Sequence, residues 1–596
     1  MSTQVAVFGR DNECIGGNLS ARDDAESRRR ACYAAAAAAA SVIAAAAVHM
    51  TASPPLNHVF FLLADDWGSY DAGFRIRELG RQPDLRTPAI DALAADGLTF
   101  SNYYVQPICS PTRASLLSGR YSIHTGSEHK LFGASEPSCL PTEFPLMPRA
   151  FKSLGYQVHG IGKWHLGYVN DTCAPWGRGF DSYIGYMNGN EGYFQHGISS
   201  GKDWHLCTDT ANASACDVCS QKYDGRYSTH VYAERAVGLV QKWRRGDPPL
   251  FVYLAWQAVH EPMEAPPEYI KPFEAIEDRS RRVYAAMLLA LDEGIGNLTM
   301  ALGASPVGDN SVFVLSNDNG GMSGSYGMGC CQCGTSCGGL NYPYRGWKDS
   351  YWEGGFRGIG LIHSPKLLRT TAVTMRKYSP LLWVGDWYKT LLSAALEGAN
   401  ATTREKAAAL LKPLLASGPV DSVDHWSALK EAAMGLPPPN PPPREEIVLA
   451  GIDIDKKGAA IRRGPYKLLL GSWGSGKHCD LNISGYSPVY PVPPAPPEQK
   501  GGEGGVWCTQ LTRKDAEEED DTVAPPPWWE RVAGLYNVES DPREVHDLKA
   551  TLPEVVKELK ARLAFWNSTT AATIHLPNDP AGKAHANSTG CWGPWR

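Results

Sequence analysis

Four short runs rich in apolar residues, each followed at once by polar side chains, constrain most strongly what this chain can fold into. The runs are His58–Ala64, Gly155–Ile161, Leu250–Ala255 and Ser311–Ser316. Such runs are typical of strands that are buried on both faces of a sheet. The stretches between them, such as Thr87–Gly97 and Ser280–Leu302, carry helical periodicity. Strands that alternate with helices predict an α/β fold with a large, mostly parallel sheet flanked by helices.

The residues that follow these runs can bind ions and transfer protons. They are Asp65 and Asp66, Lys163 and His165, Gln257 and His260, and Asp318 and Asn319. In parallel α/β sheets, ligands bind at the carboxyl ends of the strands. We therefore expect these side chains to meet at one site.

The chemistry of this set points to a hard cation and an oxyanion. Only oxygen ligands are offered by Asp65, Asp66, Asp318 and Asn319, which suits Ca²⁺ or Mg²⁺ better than zinc. Cationic or proton-transferring groups are supplied by Arg113, Lys163, His165, His260 and Lys348. Any one of them alone is more often a structural or solvated residue. Together they suit a tetrahedral oxyanion such as sulfate or phosphate.

A cysteine stands at the start of a predicted helix in the stretch Pro107–Arg120. Ser110 is a candidate N-cap, Pro111 suits the first turn, and Gly119 ends the helix. Cys109 would then face free backbone N–H groups and the positive end of the helix dipole, which favour an anion. The alternative is an ordinary loop-to-helix junction with a buried thiol.

Composition and the N-terminus bear on the class of protein and its compartment. A chain of 596 residues favours two domains, and a net charge of −6 gives no argument for binding nucleic acid. Within residues 1–52, the run Arg28-Arg29-Arg30 is followed by the alanine-rich stretch Ala31–Val48, the pattern of a signal peptide or a single membrane anchor. A plain low-complexity tail is the alternative.

Cysteines and glycosylation sequons favour the secretory pathway. Of the 15 cysteines, 12 remain once the leader and Cys109 are set aside, an even number. Sequons occur at Asn170, Asn212, Asn297, Asn400, Asn482, Asn567 and Asn587. Four of these 12 cysteines lie close together in the sequence: Cys330, Cys331, Cys333 and Cys337. Because that stretch lacks histidine and is rich in glycine, loop disulfides are favoured over zinc.

The last third predicts a smaller subdomain. Proline-rich stretches at Pro437–Pro443 and Pro491–Pro497 mark linkers or loops, and Glu517–Asp521 reads as a solvated acidic loop. Strands are expected within Ala460–Leu470 and Leu535–Val538. One helical face collects Leu552, Val555, Val556, Leu559 and Leu563. We therefore predict a catalytic domain at 54–436 and, at 446–596, a small antiparallel sheet with a terminal helix.

Several motifs of this chain resemble the type I sulfatases. Cys109-Ser-Pro-Thr-Arg113 is similar to the C-x-P-x-R core of that family, and Gly162-Lys163-Trp164-His165 to its second signature. Supporting stretches include Arg178-Gly-Phe-Asp and Trp352-Glu-Gly-Gly-Phe-Arg357. The resemblance extends from about His58 to Trp566 and is closest to the arylsulfatase B (N-acetylgalactosamine-4-sulfatase) branch.

The resemblance implies an alkaline-phosphatase-like fold and a particular chemistry. A formylglycine-generating enzyme would convert Cys109 to formylglycine, whose hydrate attacks sulfur, and His165 would be the base that releases sulfate. One Ca²⁺ would be held by Asp65, Asp66, modified Cys109, Asp318 and Asn319. Arg113 would steady the hydrate. Lys163, Lys348 and His260 would grip sulfate, with either His260 or Lys348 donating a proton to the leaving oxygen.

The same resemblance implies a substrate class, disulfides and a compartment. The substrate would be an aryl sulfate or, on the closest branch, a sulfated saccharide. Disulfides are implied between Cys139 and Cys173 and between Cys479 and Cys508, while the partner of Cys591 stays open. The catalytic domain would lie in a lysosome-like or vacuole-like compartment, outside the cell, or on the lumenal side of an anchored protein.

Two other functions are compatible with parts of this pattern. A phosphoester hydrolase of the alkaline phosphatase superfamily would use similar ligands, but with a Ser or Thr nucleophile and usually zinc. The Cys109 motif and the oxygen-only ligand set argue against it. A non-catalytic secreted protein on a sulfatase scaffold would lack site residues, and here all of them are present.

Overall fold

A computed structural model describes most of the chain. The described residues are 56–128, 130–198, 201–212, 215–322, 338–365, 376–416, 418, 420–453, 458–471, 478–480, 507–509 and 528–596. One compact unit comprises Leu56–Glu397 and Lys406–Arg596, and it contains every predicted site residue. The described part of the other unit is Gly398–Glu405.

A ten-stranded sheet organises this unit. Its strands lie in the order Arg376–Tyr378, Leu98–Phe100, Gly360–His363, Ser311–Asn317, His58–Ala64, Leu250–Ala255, Gln157–Lys163, Ser182–Tyr186, His205–Cys207 and Cys216–Val218. The four predicted strands are neighbours, and they pair in parallel. The predicted fold class is confirmed, with the second strand shifted by two residues to Gln157–Lys163.

The central strand shows why these sequences form a doubly covered sheet. All seven residues of His58–Ala64 are buried. Val59, Phe61 and Leu63 pack into one hydrophobic core, while Phe60 and Leu62 pack into a second core on the opposite face. Burial of each large apolar side chain contributes about 1.5–3 kcal/mol. The strand is therefore stabilised from both sides, as its uninterrupted apolar run predicts.

Helices pack on both faces of the large sheet, and others, such as Pro553–Asn567, pack elsewhere. Within the described residues they are Gly73–Glu78, Pro88–Asp96, Cys109–Ser118, Ser122–Thr125, Met147–Ser153, Ser228–Lys242, Pro267–Ile270, Arg279–Gly303, Pro306–Asp309, Glu353–Phe356, Trp387–Ala395, Ala401–Leu415, Trp426–Ala433, Pro553–Asn567 and Pro580–Thr589. Among the described residues, one helix, Arg279–Gly303, is long and apolar enough to cross a membrane. Most of it is buried inside the fold, as in the core helix of a soluble domain.

The helix that carries the cysteine begins two residues earlier than predicted. It spans Cys109–Ser118, its N-cap is Ile108, and it ends at Gly119, whose φ of 67° is left-handed. The prediction that Ser110 caps the helix is wrong. The Ser110 hydroxyl is buried and donates to the carbonyl of His165 at 2.8 Å, so it does not cap the backbone N–H groups.

The C-terminal region forms the predicted antiparallel sheet and helix. Its four strands lie in the order Glu446–Asp453, Gly458–Arg463, Tyr466–Gly471 and Val532–Asn537. The terminal helix Pro553–Asn567 buries Leu559 and Leu563 against this sheet. Residues 437–445, between the two predicted domains, form neither helix nor strand. Because the regions on both sides of them belong to the same compact unit, the domain bounds 54–436 and 446–596 stay a prediction.

Three disulfides join cysteines of the described residues, at sequence separations of 34, 9 and 372 residues. The predicted bond between Cys139 and Cys173 is present. Two further bonds join Cys207 to Cys216 and Cys219 to Cys591, so the open partner of Cys591 is Cys219. Strands His478–Asp480 and Trp507–Thr509 pair with residues 479 and 508 opposite each other, but the side chains of that predicted disulfide lie outside those described.

Several sequence predictions fall outside the described residues. They concern the leader 1–52, the four cysteines between 330 and 337, the proline-rich stretch 491–497 and the acidic stretch 517–521. These stay predictions.

Candidate active site

The predicted residues meet at the carboxyl ends of the four central strands, where the helix Cys109–Ser118 adds Cys109 and Arg113 and a loop adds Lys348. All ten are buried: Asp65, Asp66, Cys109, Arg113, Lys163, His165, His260, Asp318, Asn319 and Lys348. Of the residues that follow the strands, only Gln257 faces elsewhere. Its amide accepts from the N–H of Glu191 and donates to the carbonyl of the same residue, so it braces a neighbouring loop.

Asp65 lies at the centre of one half of the site. Its Oδ2 accepts from Lys163 Nζ at 2.6 Å and from Arg113 Nη2 at 3.3 Å. Burial alone would raise the pKa of Asp65, but the cations around it, Lys163 foremost, hold that pKa well below its ordinary value. Asp65 is therefore ionised, and its oxygens are available to a cation.

Asp318 shares Arg113 with Asp65. Arg113 donates to Asp318 Oδ2 from Nη2 at 2.8 Å and from Nε at 3.2 Å. Burial, together with the charge of Asp65, raises the pKa of Asp318 to about 6. Two carboxylates held this close repel each other unless further positive charge stabilises both.

Asp66 lies at the centre of the other half. Its carboxylate lies 2.8 Å from Lys348 Nζ and accepts from Asn319 Nδ2 at 2.7 Å. The side-chain carbonyl of Asn319, Oδ1, is buried and has no hydrogen-bond partner among the described residues. Asp66 also has a φ of 57°, a left-handed conformation that residues with a Cβ seldom adopt away from functional sites.

The Cys109 side chain lies inside this charged cluster. Its Sγ is 3.6 Å from Asp65 Oδ1, and it is the one free cysteine among the described residues. Burial, followed by the charge of Asp65, raises the pKa of the thiol to about 12. An unmodified thiol here is protonated and is a poor nucleophile, in spite of its place at a helix start.

His165 is held by its backbone and presents a neutral ring. Its N–H donates to the carbonyl of Met187 at 3.1 Å, and its carbonyl accepts from Ser110. Burial, followed by the charges of Lys163 and Arg113, lowers the pKa of His165 well below its ordinary value. The ring is therefore unprotonated near neutral pH and can accept a proton. Its Nδ1 has no partner among the described residues.

His260 faces the site with a nitrogen that carries no hydrogen when the ring is neutral. Its Nδ1 is 2.7 Å from the carbonyl of Glu261, and because a carbonyl only accepts, Nδ1 must carry the hydrogen. The bare Nε2 then lies 3.8 Å from Asp66 Oδ2. Burial and the charge of Lys348 lower the pKa of His260 to about 4.

The residues present fit a hard divalent cation. Ligand atoms of Asp65, Asp66, Cys109 and His260 all lie within 4.8 Å of one another. The unpartnered Asn319 Oδ1 adds a neutral oxygen beside them. Carboxylate and amide oxygens are what Ca²⁺ prefers. His260, which is predicted from the sequence to bind sulfate, also lies close enough to be a ligand of the metal ion.

Comparisons with known proteins agree with this geometry. The chain matches the Sulfatase family model over residues 57–397. It is 33% identical over 560 residues to arylsulfatase J of Mus musculus, covering 91% of this chain and 81% of that protein. It is 30% identical over 327 residues to N-acetylgalactosamine-6-sulfatase of Homo sapiens, covering 53% of this chain and 58% of that protein.

A solved structure shares the fold. The PsFucS1 sulfatase from Pseudoalteromonas sp. superposes with a TM-score of 0.59 at 18% identity, covering 88% of this chain and 92% of that one. The relatives named above are not arylsulfatase B, so that finer placement stays a prediction. Because the Sulfatase family model matches more than half of this chain, the chain belongs to the sulfatase family and is a sulfuric ester hydrolase.

Proposed function

We propose that this protein hydrolyses the sulfate ester of a sulfated saccharide, using Ca²⁺ and a formylglycine made from Cys109. The observation that carries the proposal is the place of Cys109: its sulfur lies 3.6 Å from Asp65 within a buried cluster of carboxylates and cations. Residue 109 is thus located where a nucleophile would meet an anionic group and a metal ion together.

The charges of the site suit a divalent cation and a sulfate. Asp65, Asp66 and Asp318 supply three acidic groups, and Arg113, Lys163 and Lys348 supply three basic ones. A divalent cation and a monoanionic sulfate ester together add one net positive charge to this balanced set, and the same cation with the product sulfate dianion adds none. Asp65, Asp66, Asp318 and Asn319 would hold Ca²⁺, which would polarise the sulfuryl oxygens when bound.

The chain itself would bind and orient the ester. One hydroxyl of an aldehyde hydrate at position 109 would attack sulfur, and the second, once deprotonated, would expel sulfate from the first oxygen as the aldehyde re-forms. Lys163 and Arg113 are directed at the same side of the cluster through their contacts with Asp65. They can bind sulfuryl oxygens and stabilise negative charge as it develops. Overall, one water adds across the ester to give the alcohol, sulfate and a proton.

Two residues have the protonation states that this reaction needs. Neutral His165 can accept the proton released at position 109. The leaving oxygen must gain a proton, and Lys348 is the better donor. A lysine ammonium carries protons at neutral pH, whereas the site-facing Nε2 of neutral His260 has none. We therefore assign proton donation to Lys348 and sulfate or metal binding to His260.

The substrate and the compartment follow from coarser evidence. The human relative is named for a sulfated hexosamine, which supports a sulfated saccharide as the substrate class here. Three disulfides among the described residues support passage through an oxidising compartment. A formylglycine-generating enzyme would act on the chain there. The final compartment is lysosome-like, vacuole-like, extracellular or lumenal on a membrane anchor.

Peptide mass spectrometry at position 109, combined with a substrate panel, tests the proposal. Protein from its native source should contain formylglycine at position 109 and release sulfate from a sulfated hexosamine when Ca²⁺ is present. Matched phosphate esters on the same panel address the phosphoester hydrolase alternative. An unmodified thiol in active protein, or faster release of phosphate than of sulfate, would overturn the proposal.

A further inference from the structure

A buried carboxylate outside the site, Asp203, organises the segment next to His165. The Asp203 side chain is fully buried and accepts four hydrogen bonds. Oδ1 accepts from the N–H of Met187 at 2.9 Å and from His205 Nε2 at 3.0 Å. Oδ2 accepts from the N–H of Asn188 at 3.0 Å and from its side-chain Nδ2 at 2.8 Å. Three of the four bonds come from residues 187 and 188.

That segment contacts His165 through both backbone and ring. The carbonyl of Met187 accepts the His165 N–H at 3.1 Å. Gly189 lies against the imidazole, since a Cβ added there would be 3.0 Å from Cε1 and 3.2 Å from Nε2. The position of residues 187–189 therefore sets where the ring lies.

Asn188 ties the same segment to the loop on the other side of His165. Its Oδ1 accepts from the Tyr168 hydroxyl at 3.0 Å, three residues beyond the histidine. Asp203 thus acts on the His165 loop by two routes, one through Met187 and one through Asn188 and Tyr168.

The backbone around Asp203 is itself fastened to the C-terminal tail. The N–H of Lys202 donates to the carbonyl of Gly590 at 2.8 Å, and the N–H of Trp592 donates back to Lys202 at 2.8 Å. The disulfide between Cys219 and Cys591 joins the tail to the same region. A rigid support of this kind is what a precisely placed catalytic group needs.

We propose that Asp203 is a positioning residue for His165, an inference that rests on the proposed function. It touches neither the substrate nor the reacting atoms, and it acts by fixing residues 187–189 against the imidazole. Loss of such supporting hydrogen bonds in enzyme sites lowers activity by about 10–100-fold.

The test compares Asp203→Asn with wild type in the full-length, formylglycine-containing enzyme. The new amide would face two N–H donors of Asn188, so we expect kcat to fall by about 10–100-fold while KM changes by less than about threefold. Hydrogen–deuterium exchange should rise in the peptides that contain residues 163–169 and 185–189. The double variant Asp203→Asn/Asn188→Asp restores one side-chain hydrogen bond in the opposite direction, and it should recover part of kcat.

Asp292→Asn is the matched control. Asp292 is also a buried carboxylate that accepts two backbone N–H groups, those of Ala89 and Ile90, at a helix without site residues. We expect this variant to keep the wild-type kcat. If Asp203→Asn does not fold, Gly189→Ala tests the same contact by pushing a methyl group toward the His165 ring, and it should lower kcat with little change in KM.

The outcomes separate this inference from the proposed function. A wild-type enzyme that hydrolyses sulfate esters, together with an Asp203→Asn variant of unchanged kcat and exchange, would refute the positioning role alone. An equal loss of kcat in Asp292→Asn, or no recovery in the double variant, would also refute it. A wild-type enzyme that releases no sulfate from any ester would instead refute the proposed function.

Discussion

Two buried charged clusters in this molecule resemble each other electrostatically, yet only one has the features of an active site. The second, here called the junction cluster, consists of Glu353, Arg357, Lys467 and Glu544. Lys467 Nζ lies 3.1 Å from Glu353 and 2.8 Å from Glu544, and all of these side chains are buried. It joins the segment between two strands of the large sheet, Ser311–Asn317 and Gly360–His363, to the small C-terminal sheet.

In each cluster, two carboxyl groups lie around shared cations, and one of the two has a lowered pKa while the other has a raised pKa. In the junction cluster, burial is outweighed for Glu353 by Lys467 and Arg357, which lower its pKa to about 2, whereas burial raises the pKa of Glu544 to about 7. In the site, the pKa of Asp65 is likewise lowered and the pKa of Asp318 is raised. Strongly shifted pKa values therefore do not by themselves identify a catalytic site.

The difference lies in what each cluster leaves available. The site holds a third carboxylate, and its Asn319 Oδ1 and His165 Nδ1 have no partner within the described part of the chain; all lie at the ends of parallel strands. It also holds a cysteine that no disulfide uses.

In the junction cluster, Glu544 Oε1 and Arg357 Nε each lie in an ion pair, 2.8 Å from Lys467 and 2.9 Å from Glu353. Glu353 also binds the Tyr104 hydroxyl and the Arg357 guanidinium. The carboxylates and cations of the junction cluster bind one another, and so they hold the large sheet and the C-terminal sheet together.

The largest effect that separates the clusters should come from Cys109→Ala. Removing the precursor of the nucleophile should lower kcat by about 10⁴-fold or more. Sulfate release from a sulfated hexosamine measures this, and the melting temperature should stay close to wild type. Ser115→Ala, on the same buried helix, is the control and should keep its activity. Turnover that persists in Cys109→Ala would contradict the assigned nucleophile.

Removal of the metal ion should have the next largest effect. Exhaustive chelation with EGTA should lower kcat by about 10²–10³-fold, because a bound cation contributes several kcal/mol of charge stabilisation. Added Ca²⁺ should restore activity, and Zn²⁺ should not, since the site offers mainly oxygen ligands. Full activity in the chelated enzyme would remove the metal from the mechanism. The junction cluster, whose carboxylates already bind Lys467, should be unaffected.

Substituting one lysine in each cluster, Lys348 in the site and Lys467 in the junction cluster, tests the comparison directly. In the Ca²⁺-loaded enzyme, Lys348→Ala should lower kcat by about 10²-fold, as expected for loss of a general acid. It should cost less stability than the equivalent change at Lys467, because bound Ca²⁺ would still compensate the buried Asp66 carboxylate. Lys467→Met should instead lower the free energy of unfolding by about 3–5 kcal/mol, because it leaves buried carboxylates without their cation. Urea unfolding and steady-state kinetics on both variants measure the two effects. If Lys467→Met lost kcat in its folded fraction, the division of roles would be wrong.

Much of the fold and site could be predicted from the sequence, because apolar runs define buried strands and the carboxyl-end rule brings Asp65, Lys163, His260 and Asp318 together. What the sequence could not show depends on contacts with ordinary backbone groups. Asp203 binds the N–H groups of residues 187 and 188, which any residue would offer, so no side-chain pattern marks it.

Pairings across long separations were equally hidden. The partner of Cys591 is 372 residues away, and nothing in the spacing selects Cys219. The predicted Ser110 cap is absent for a related reason: the residue type suits an N-cap, but the His165 carbonyl offers its hydroxyl another acceptor. Glu353 lies in a stretch that resembles the family, yet its partners Lys467 and Glu544 are 114 and 191 residues away, and nothing in the sequence pairs them with it.

The smallest predicted effect is a pH dependence that belongs to the junction cluster. Glu544 has an ordinary pKa of 4.5 and a folded-state pKa of about 7, so between these values the folded protein keeps a proton that the unfolded chain has lost. The stabilising contribution is therefore complete below about pH 4.5 and is lost as pH rises through about 7. Glu544→Gln removes this titration, and the free energy of unfolding of wild type relative to the variant should fall by on the order of 2 kcal/mol across that window. Urea unfolding at steps between pH 4.5 and 7.5 measures it. A difference that stays constant, or that grows with pH, would show that Glu544 is ionised throughout and that Lys467 neutralises both carboxylates of the cluster.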